Sequence, residues 1–302
     1  MDTMRALQAR TRSDESGLRL ETDVPVPAPG TGDVLIAVRA ASYTPGELDW
    51  PSTWVDRSGH DRTPVIPGHE VSGVVAALGW GAAGVAVGEE VFGLTDWYRD
   101  GALAEYVTVE ARNLARKPER ATHAEAAALT LAGLTAYQAL LRHGDAGPGK
   151  RVLVVGADGG VGSVAVQLAR AVGAHVVGLA RPGRREAVLD LGAHEFVAAG
   201  AEADRIDLIV DTIGGEVLAG ARTAAREDAA IVSIADPPSD DPRDRYFVVE
   251  PDRRDLAHLA RFVDEGAVRG VVGLECPLDE AAAAIARKAA GGVVGKVVVD
   301  CA

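Results

Sequence analysis

A glycine-rich segment in the middle of the chain limits the possible folds more than any other part of the sequence. Residues 154–162 read VVGADGGVG, between the apolar run Arg151–Val155 and a helical pattern over Val161–Val172. Counted from Ala157, the segment is A-x-G-x-x-G, a variant of the fingerprint that binds dinucleotides between a strand and a helix. The loop therefore predicts a doubly wound parallel sheet, although a glycine turn that serves packing alone would read the same way.

The residues of this loop have separate predicted roles. Gly159 lets the backbone approach a pyrophosphate, and Gly162 lets the helix pack closely on the strand. The first N–H groups of the helix then hold the phosphates. We therefore predict cofactor contacts from Ala157, Gly159, Gly160, Val161 and Gly162.

Strand and helix patterns alternate after residue 119, and near-continuous apolar strands spaced by helices indicate a parallel sheet. The first third of the chain instead has short strands closed by glycine turns, which favours a barrel-like β domain. The predicted strands are Val34–Ala40, Val71–Leu78, Glu90–Leu94, Leu103–Val109, Arg151–Val155, His175–Ala180, Ile206–Val210, Ala229–Ile234 and Tyr246–Val249. The predicted helices are Thr122–Leu141, Val161–Val172, Arg184–Leu191, Glu216–Arg226, Asp255–Glu265 and Leu278–Ala290.

The end of the second strand of the parallel sheet indicates which dinucleotide is bound. An acid there would bond the ribose 2′-hydroxyl of NADH, but this chain has Ala180, followed by Arg181, Arg184 and Arg185. Guanidinium groups bind a 2′-phosphate through charged hydrogen bonds. We predict NADPH, bound by Arg181 first and Arg184 second, against the alternative of a solvated helix start with surface arginines.

Two further strand ends lie where open α/β sheets bind ligands. Asp211 and Thr212 follow the fourth strand, and Ser233, Ile234 and Ala235 follow the fifth. We predict that they line the nicotinamide side of the site. Structural turns at strand ends are the alternative.

Composition excludes several functions. The net charge of −13 argues against nucleic-acid binding. No apolar run reaches the length of a membrane span, and residues 1–20 do not resemble a targeting peptide, so we expect a cytoplasmic protein. The two cysteines, Cys276 and Cys301, cannot form a disulfide framework.

Several motifs resemble the medium-chain dehydrogenase/reductase superfamily, in its zinc-free quinone oxidoreductase and enoyl reductase branch. They are PGHEVSGVV at 67–75, GEEVFG at 88–93, GALAEY at 101–106, AAAL at 126–129 with GLTAY at 133–137, and GKVV at 295–298. The resemblance implies an α/β protein with a GroES-like domain over 1–119 and 268–302 and a Rossmann NADPH-binding domain over 120–267. It also implies a homodimer and a cofactor contact from Thr135.

The zinc enzymes of this superfamily take ligands from two cysteines and a histidine. Here Thr44 and Leu131 stand at the cysteine positions, and His69 remains with Glu70 beside it. A catalytic zinc needs three protein ligands, so we expect no metal. We place His69 beside the substrate, although a hydrogen-bonded polar pair of His69 and Glu70 is the more ordinary interpretation.

Without zinc, hydride transfer suits an acceptor that is already activated, such as a quinone, an enone or an enoyl thioester. The resemblance assigns residues 42–50 to the substrate side, where Tyr43 could donate a proton and Thr44 could orient the nicotinamide or the substrate carbonyl. Trp50 and Trp54 could wall the pocket. Packing roles for these residues, and a proton taken from water, are the alternatives. A tailoring reductase for a natural product, or an NADPH-binding sensor or structural protein without turnover, would carry the same motifs.

Overall fold

The computed structural model describes residues 2–12, 17–198, 204–290 and 293–302. Its strands are β1 (Thr3–Gln8), β2 (Arg19–Pro25), β3 (Asp33–Ser42), β4 (Glu70–Leu78), β5 (Glu90–Leu94), β6 (Tyr106–Glu110), β7 (Leu114–Arg116), β8 (Arg151–Val155), β9 (His175–Ala180), β10 (Glu195–Ala198), β11 (Ile206–Asp211), β12 (Ala225–Ser233), β13 (Asp244–Tyr246), β14 (Val272–Pro277) and β15 (Lys296–Asp300). Its α-helices are α1 (Pro51–Trp54), α2 (His123–Tyr137), α3 (Gly160–Ala171), α4 (Arg185–Asp190), α5 (Gly215–Arg222), α6 (Arg253–Asp264) and α7 (Ala281–Ala289). Within these ranges no helix is long and apolar enough to cross a lipid bilayer.

A seven-stranded sheet joins the first strands of the chain to the last. Its order is β14, β15, β3, β4, β5, β7, with β6 also paired to β3. Val34, Ile36 and Val38 of β3 are buried at every second position, because alternate side chains of a strand point to the same face. They belong to the same apolar core as Val297 and Val299 of β15, which pairs antiparallel with β3. The expected return of the tail to the N-terminal β structure is confirmed.

A six-stranded parallel sheet forms the middle of the chain, in the order β10, β9, β8, β11, β12, β13. In order along the chain this is 3-2-1-4-5-6, the order of dinucleotide-binding sheets. Leu153, Val177, Ile209 and Ile231 from four neighbouring strands form its core. The predicted doubly wound sheet is confirmed, and its order reverses between β8 and β11, where such sheets bind ligands.

Some predicted elements have different bounds. The helix predicted to reach Arg226 ends at Arg222, and the next strand begins at Ala225 rather than Ala229. The charged stretch between these positions resembles an exposed helix face, but it forms the exposed first part of β12. The last strand of the sheet pairs with β12 at Asp244–Tyr246, so residues 247–249 lie outside it. Strands β1, β2, β7 and β10 were not predicted.

The chain divides into two compact units. The first contains residues 1–131, 251–260 and 270–302, and the second contains residues 132–250 and 261–269. We call them the antiparallel-sheet unit and the parallel-sheet unit. The first unit extends beyond residue 119 because the first part of α2 packs with the antiparallel sheet, where Ala127 and Ala128 lie in one apolar cluster with Val298. The expected domain bounds, at 119/120 and 267/268, stay predictions.

Candidate active site

The glycine loop joins β8 to α3 at the carboxyl edge of the parallel sheet. Gly156 has a φ of +81°, a left-handed conformation that favours glycine. The N–H groups of Gly156 and Ala157 donate to the Leu179 carbonyl of β9, at 2.9 and 3.0 Å. Gly159 is the N-cap of α3. The first N–H groups of a helix have no acceptor within it, so they are the donors that this loop offers to a phosphate.

Close packing requires glycine at position 162 of the loop and leaves little room for a side chain at position 159. A Cβ at Gly162 would lie against the Gly156 carbonyl and the Ala157 Cα. A Cβ at Gly159 would approach the Gly156 carbonyl oxygen to 3.2 Å, closer than ordinary contact. The glycine backbone therefore forms a cradle before a helix N-terminus, with Asp158 as its one charged side chain, and it fits a dinucleotide pyrophosphate. The contacts assigned to Ala157, Gly159, Gly160, Val161 and Gly162 stay predictions.

Two arginines converge on this loop. Arg184 Nε lies 3.4 Å from Asp158 Oδ2, and Arg181 Nη2 lies 3.9 Å from the same oxygen. The Arg181 side chain is 68% exposed and that of Arg184 is 29% exposed. The Arg185 guanidinium carbon instead lies 5.8 Å from the centre of the Phe196 ring. Arg181 and Arg184 are therefore placed for an anion beside the loop, whereas Arg185 is directed elsewhere.

The strand ends of β11 and β12 are joined by side-chain hydrogen bonds. Asp211 is fully buried, and its Oδ2 accepts from Ser233 Oγ at 2.7 Å. Its Oδ1 accepts from the N–H groups of Ile213 and Gly214, both at 3.1 Å. Thr212 Oγ1 donates to a backbone carbonyl of β8. These bonds favour structural turns for Asp211, Thr212 and Ser233.

Four other residues predicted at the cofactor differ in exposure. Ala180 and Thr135 are buried, at 4% and 5% exposure. Ile234 is half-buried and Ala235 is exposed, both just after β12. Their cofactor contacts stay predictions, as do those of the β11 and β12 turns.

A polar cluster in the antiparallel-sheet unit contains buried Glu47, His69, Glu70 and Lys296 together with half-buried Thr44. Lys296 Nζ lies 2.5 Å from Glu70 Oε1 and donates to Thr44 Oγ1 at 3.0 Å. Thr44 Oγ1 in turn donates to Glu70 Oε1 at 3.2 Å. The hydroxyl proton of Thr44 is therefore directed at Glu70, and its remaining lone pair is an acceptor rather than a donor.

The other carboxylate oxygen of Glu70 accepts hydrogen bonds from two residues of α2. Its Oε2 accepts from the Leu131 N–H at 3.2 Å and from Thr130 Oγ1 at 3.3 Å. Glu70 is 1% exposed, so these bonds and Lys296 satisfy a carboxylate removed from water. Leu131 thus contributes its backbone, not a side-chain ligand, to this cluster.

Glu47 and His69 form the second half of the polar cluster. Glu47 Oε1 accepts from the Gly68 N–H at 2.5 Å and lies 3.4 Å from His69 Nε2. His69 Nδ1 lies 2.5 Å from Thr95 Oγ1, whereas its Nε2 has no hydrogen-bond partner among the described residues. Burial raises the pKa of Glu47 to about 8 and lowers the pKa of His69 to about 3. At neutral pH the contact therefore joins a carboxylic acid to a neutral imidazole.

Aromatic rings cover His69. Trp50 stacks on it with ring centres 6.4 Å apart, and Trp97 meets it edge to face at 5.0 Å. Both tryptophans are half-buried. Trp50 and His69, predicted on the substrate side, are thus brought together, although His69 itself is buried.

Tyr43 and Trp54 lie in the core of the antiparallel-sheet unit. Tyr43 is 2% exposed and Trp54 is 3% exposed. The Trp54 indole N–H donates to the Leu48 carbonyl at 2.7 Å. These positions favour the packing alternative for both residues, and their proposed contacts with a substrate stay predictions.

The donor set of the polar cluster does not fit a catalytic zinc. The ammonium of Lys296 already occupies the position between Thr44 and Glu70, and His69 is the one nitrogen ligand of the family pattern that is present. Both cysteines are buried in β14 and just after β15, with thiol pKa values raised by burial. Across the described ranges, no three His, Cys, Asp or Glu side chains are grouped to hold an ion.

Four residues with site geometry were not predicted: Glu47, Trp97, Asp158 and Lys296. Glu47 lies within residues 42–50, which the resemblance assigns to the substrate side, but no role was predicted for it, and Trp97 has no distinguishing local pattern. Lys296 belongs to the GKVV motif, but its contact with Glu70 joins residues far apart in the chain. Asp158 was visible as an acid within a glycine loop, and this was the signal that could have identified it.

Two protein families match the chain. Residues 30–119 match the family described as alcohol dehydrogenase GroES-like domain, and residues 183–299 match the family described as zinc-binding dehydrogenase. The first match confirms the expected GroES-like β domain. The second family carries a metal in its name.

Individual relatives are similar over most of their length. The chain is 33% identical over 299 residues to a 2-methylene-furan-3-one reductase of Solanum lycopersicum, covering 93% of this chain and 75% of the relative. It is 28% identical to a chloroplast envelope quinone oxidoreductase homolog of Arabidopsis thaliana, covering 98% of both. The solved quinone oxidoreductase from Coxiella burnetii superposes with a TM-score of 0.87 at 27% identity, covering 98% of this chain and 99% of that one.

Proposed function

Because the chain belongs to the medium-chain dehydrogenase/reductase superfamily, in its quinone oxidoreductase-like branch, we propose that this oxidoreductase uses NADPH to reduce a quinone or an α,β-unsaturated carbonyl, without zinc. When bound, NADPH supplies the hydride. The chain supplies the phosphate cradle, the cationic side chains beside it and a polar cluster with its own ammonium ion.

The observation that carries the NADPH proposal is the position of Arg181 and Arg184. Both guanidiniums lie beside the glycine loop, at the strand tip where Ala180 replaces the acid expected for NADH. Their exposure leaves them available to a ligand. Of the relatives described above, the tomato protein is named for an enone-type substrate and two others for quinones, which supports an activated acceptor.

The residues of the antiparallel-sheet unit suit an acceptor that needs no Lewis acid. Lys296 donates to Thr44 Oγ1, and the Thr44 hydroxyl donates its proton to Glu70. The remaining lone pair of Thr44 can accept a hydrogen bond, but the hydroxyl does not donate to a developing oxyanion. Glu47, whose pKa is raised to about 8, is only 1% exposed and so does not face solvent. We therefore propose that the hydride comes from NADPH and that the one proton that completes the reduction comes from water rather than from Tyr43 or Thr44.

The test of the reaction is NADPH consumption by the purified chain against quinones, 2-alkenals and enoyl thioesters, before and after treatment with a zinc chelator. We expect turnover with at least one class and no effect of the chelator. Binding of NADPH without turnover by any class would instead favour the sensor or structural alternative. The homodimer, the cytoplasmic location and a role in natural-product tailoring stay predictions.

Arg181→Ala is expected to weaken NADPH binding by about 1.5–3 kcal/mol, the scale of a charged hydrogen bond, and to leave NADH binding nearly unchanged. Arg185→Ala is the matched control, because that guanidinium faces Phe196. Dissociation constants from calorimetry measure both effects. Equal losses for the two dinucleotides would contradict the assignment of the 2′-phosphate.

A further inference from the structure

Asp158 places a carboxylate inside the glycine loop. Its side chain is 15% exposed, and one oxygen, Oδ2, faces both Arg184 Nε at 3.4 Å and Arg181 Nη2 at 3.9 Å. These are the two guanidiniums to which we assigned the 2′-phosphate. An internal anion therefore already faces the groups that a ligand anion would need.

Carboxylates and phosphates use the same donors, because both present anionic oxygens to guanidinium. A 2′-phosphate adjacent to Arg181 and Arg184 would lie well within a Debye length of Asp158, so the two anions would repel each other. A ribose 2′-hydroxyl carries no charge and can donate to a carboxylate instead. The two dinucleotides should thus respond in different ways to the charge of Asp158.

We propose that Asp158 sets the dinucleotide selectivity: in the free protein it holds Arg181 and Arg184 against the loop, and it lowers the preference of the site for a 2′-phosphorylated ligand. The inference rests on the proposed NADPH dependence. It extends that proposal by identifying a residue whose negative charge offsets the two arginines. The affinity of the chain for NADPH is therefore lower than Arg181 and Arg184 alone would give.

The test compares wild type with Asp158→Asn, which keeps the size of the side chain and one acceptor oxygen while removing the charge. Asp190→Asn is the matched control, since Asp190 is an exposed acid on α4 of the same unit. Calorimetric titrations with NADPH, NADH and 2′,5′-ADP give dissociation constants without any dependence on turnover. Asp158→Ser provides a second neutral replacement, and thermal unfolding checks that each variant is folded.

We expect Asp158→Asn to tighten NADPH and 2′,5′-ADP about fivefold, the upper end for a partly exposed charge pair, and to leave NADH unchanged or weaker. Asp158→Ser should change the affinities in the same direction, and Asp190→Asn should leave the affinities for NADPH and NADH unchanged. The gain should shrink as salt is raised, because mobile ions screen the repulsion.

Unchanged or weaker NADPH binding in both Asp158 variants would overturn this inference. So would an equal gain in Asp190→Asn, because the effect would then come from net charge alone. The proposed NADPH dependence fails in a different way, when wild type binds both dinucleotides equally and Arg181→Ala alters neither. The two failures are therefore distinguishable in one set of titrations.

Discussion

Glu47 and His69 lie 3.4 Å apart in the antiparallel-sheet unit, and burial determines their protonation. The pKa of Glu47 is raised from 4.5 to about 8, and the pKa of His69 is lowered from 6.5 to about 3. Between pH 4.5 and pH 6.5, the ordinary pKa values of the two groups, the unfolded chain carries one proton on His69, whereas the folded chain carries one on Glu47. Folding then exchanges the site of a proton without net uptake, so the pair adds no slope of stability with pH between 4.5 and 6.5.

Glu47→Gln is expected to change how stability depends on alkaline pH. Above 6.5 the unfolded pair loses its last proton while folded Glu47 keeps its own until about pH 8, so wild type loses stability over this window. The loss is at most about 1.4 kcal/mol per pH unit for one proton. Glutamine has no proton to lose, and the variant should not show this decline. Urea unfolding at pH 5.5, 7 and 8.5 measures the difference, with Glu216→Gln on α5 as the exposed control.

If the difference in the free energy of unfolding between Glu47→Gln and wild type stays constant at pH 5.5, 7 and 8.5, Glu47 is not protonated in the folded chain. A constant difference would indicate an ordinary carboxylate at this position.

Lys296→Met should destabilise the chain by about 3–5 kcal/mol, because it leaves Glu70 buried without its cation. Adding Glu70→Gln to Lys296→Met should recover part of that loss, since the amide needs no counter-ion. Urea unfolding of the two single variants and the double variant gives the coupling energy. Additive losses would mean that the short contact between Lys296 and Glu70 contributes little.

At the scale of elements, the turn from β8 to α3 shows how close packing fixes a loop. Gly162→Ala would place a methyl group against the Gly156 carbonyl, and we expect it to abolish dinucleotide binding and to cost about 2 kcal/mol or more of stability. Gly220→Ala on α5 is the matched control, because nothing lies within 4 Å of a Cβ there. That change should stabilise the chain by about 0.4–1 kcal/mol.

Thermal unfolding and NADPH titration measure both glycine variants. Wild-type affinity in Gly162→Ala would mean that the loop can shift at little cost and that its shape does not determine binding.

Apolar runs and glycine loops made the parallel sheet predictable, because both are local in sequence. Strands β8, β9 and β11 are buried on both faces and were predicted within a residue of their bounds. The start of β12 was missed because its first residues are charged and exposed, so their pattern does not distinguish a strand from a helix. Strands β1 and β2 depend on pairing with each other, which no local pattern encodes.

The site was predictable to the same extent. The glycine loop and its arginines follow from residues close together in the chain. The polar cluster does not, because Thr44, Glu70 and Lys296 meet only when β15 has joined the sheet. A sequence motif indicated Lys296, but its ion pair required the topology.

At the scale of the whole molecule, β15 should stabilise the antiparallel-sheet unit more than the parallel-sheet unit. Val299→Ala removes buried methyl groups from β15 and should cost about 2 kcal/mol. Hydrogen exchange should then become faster in β3 and β4, whereas β8 to β12 should be unchanged because they form a separate sheet. Asp300→Asn, at an exposed position of the same strand, is the control. Equal acceleration in both sheets would show that the units unfold together.

The pairing of β15 with β3 also bears on how the protein is made. A ribosome delivers β3 before the strands of the parallel sheet and β15 after them. All strands of the parallel sheet are therefore synthesised before the antiparallel sheet is complete. Because domains fold as units during synthesis, the parallel sheet can form first. Until translation reaches residue 300, Ala40–Ser42 of β3 lack a neighbour on the edge where β6 covers only Asp33–Ala37, and this short stretch is a site where a chaperone would be expected to act on the growing chain.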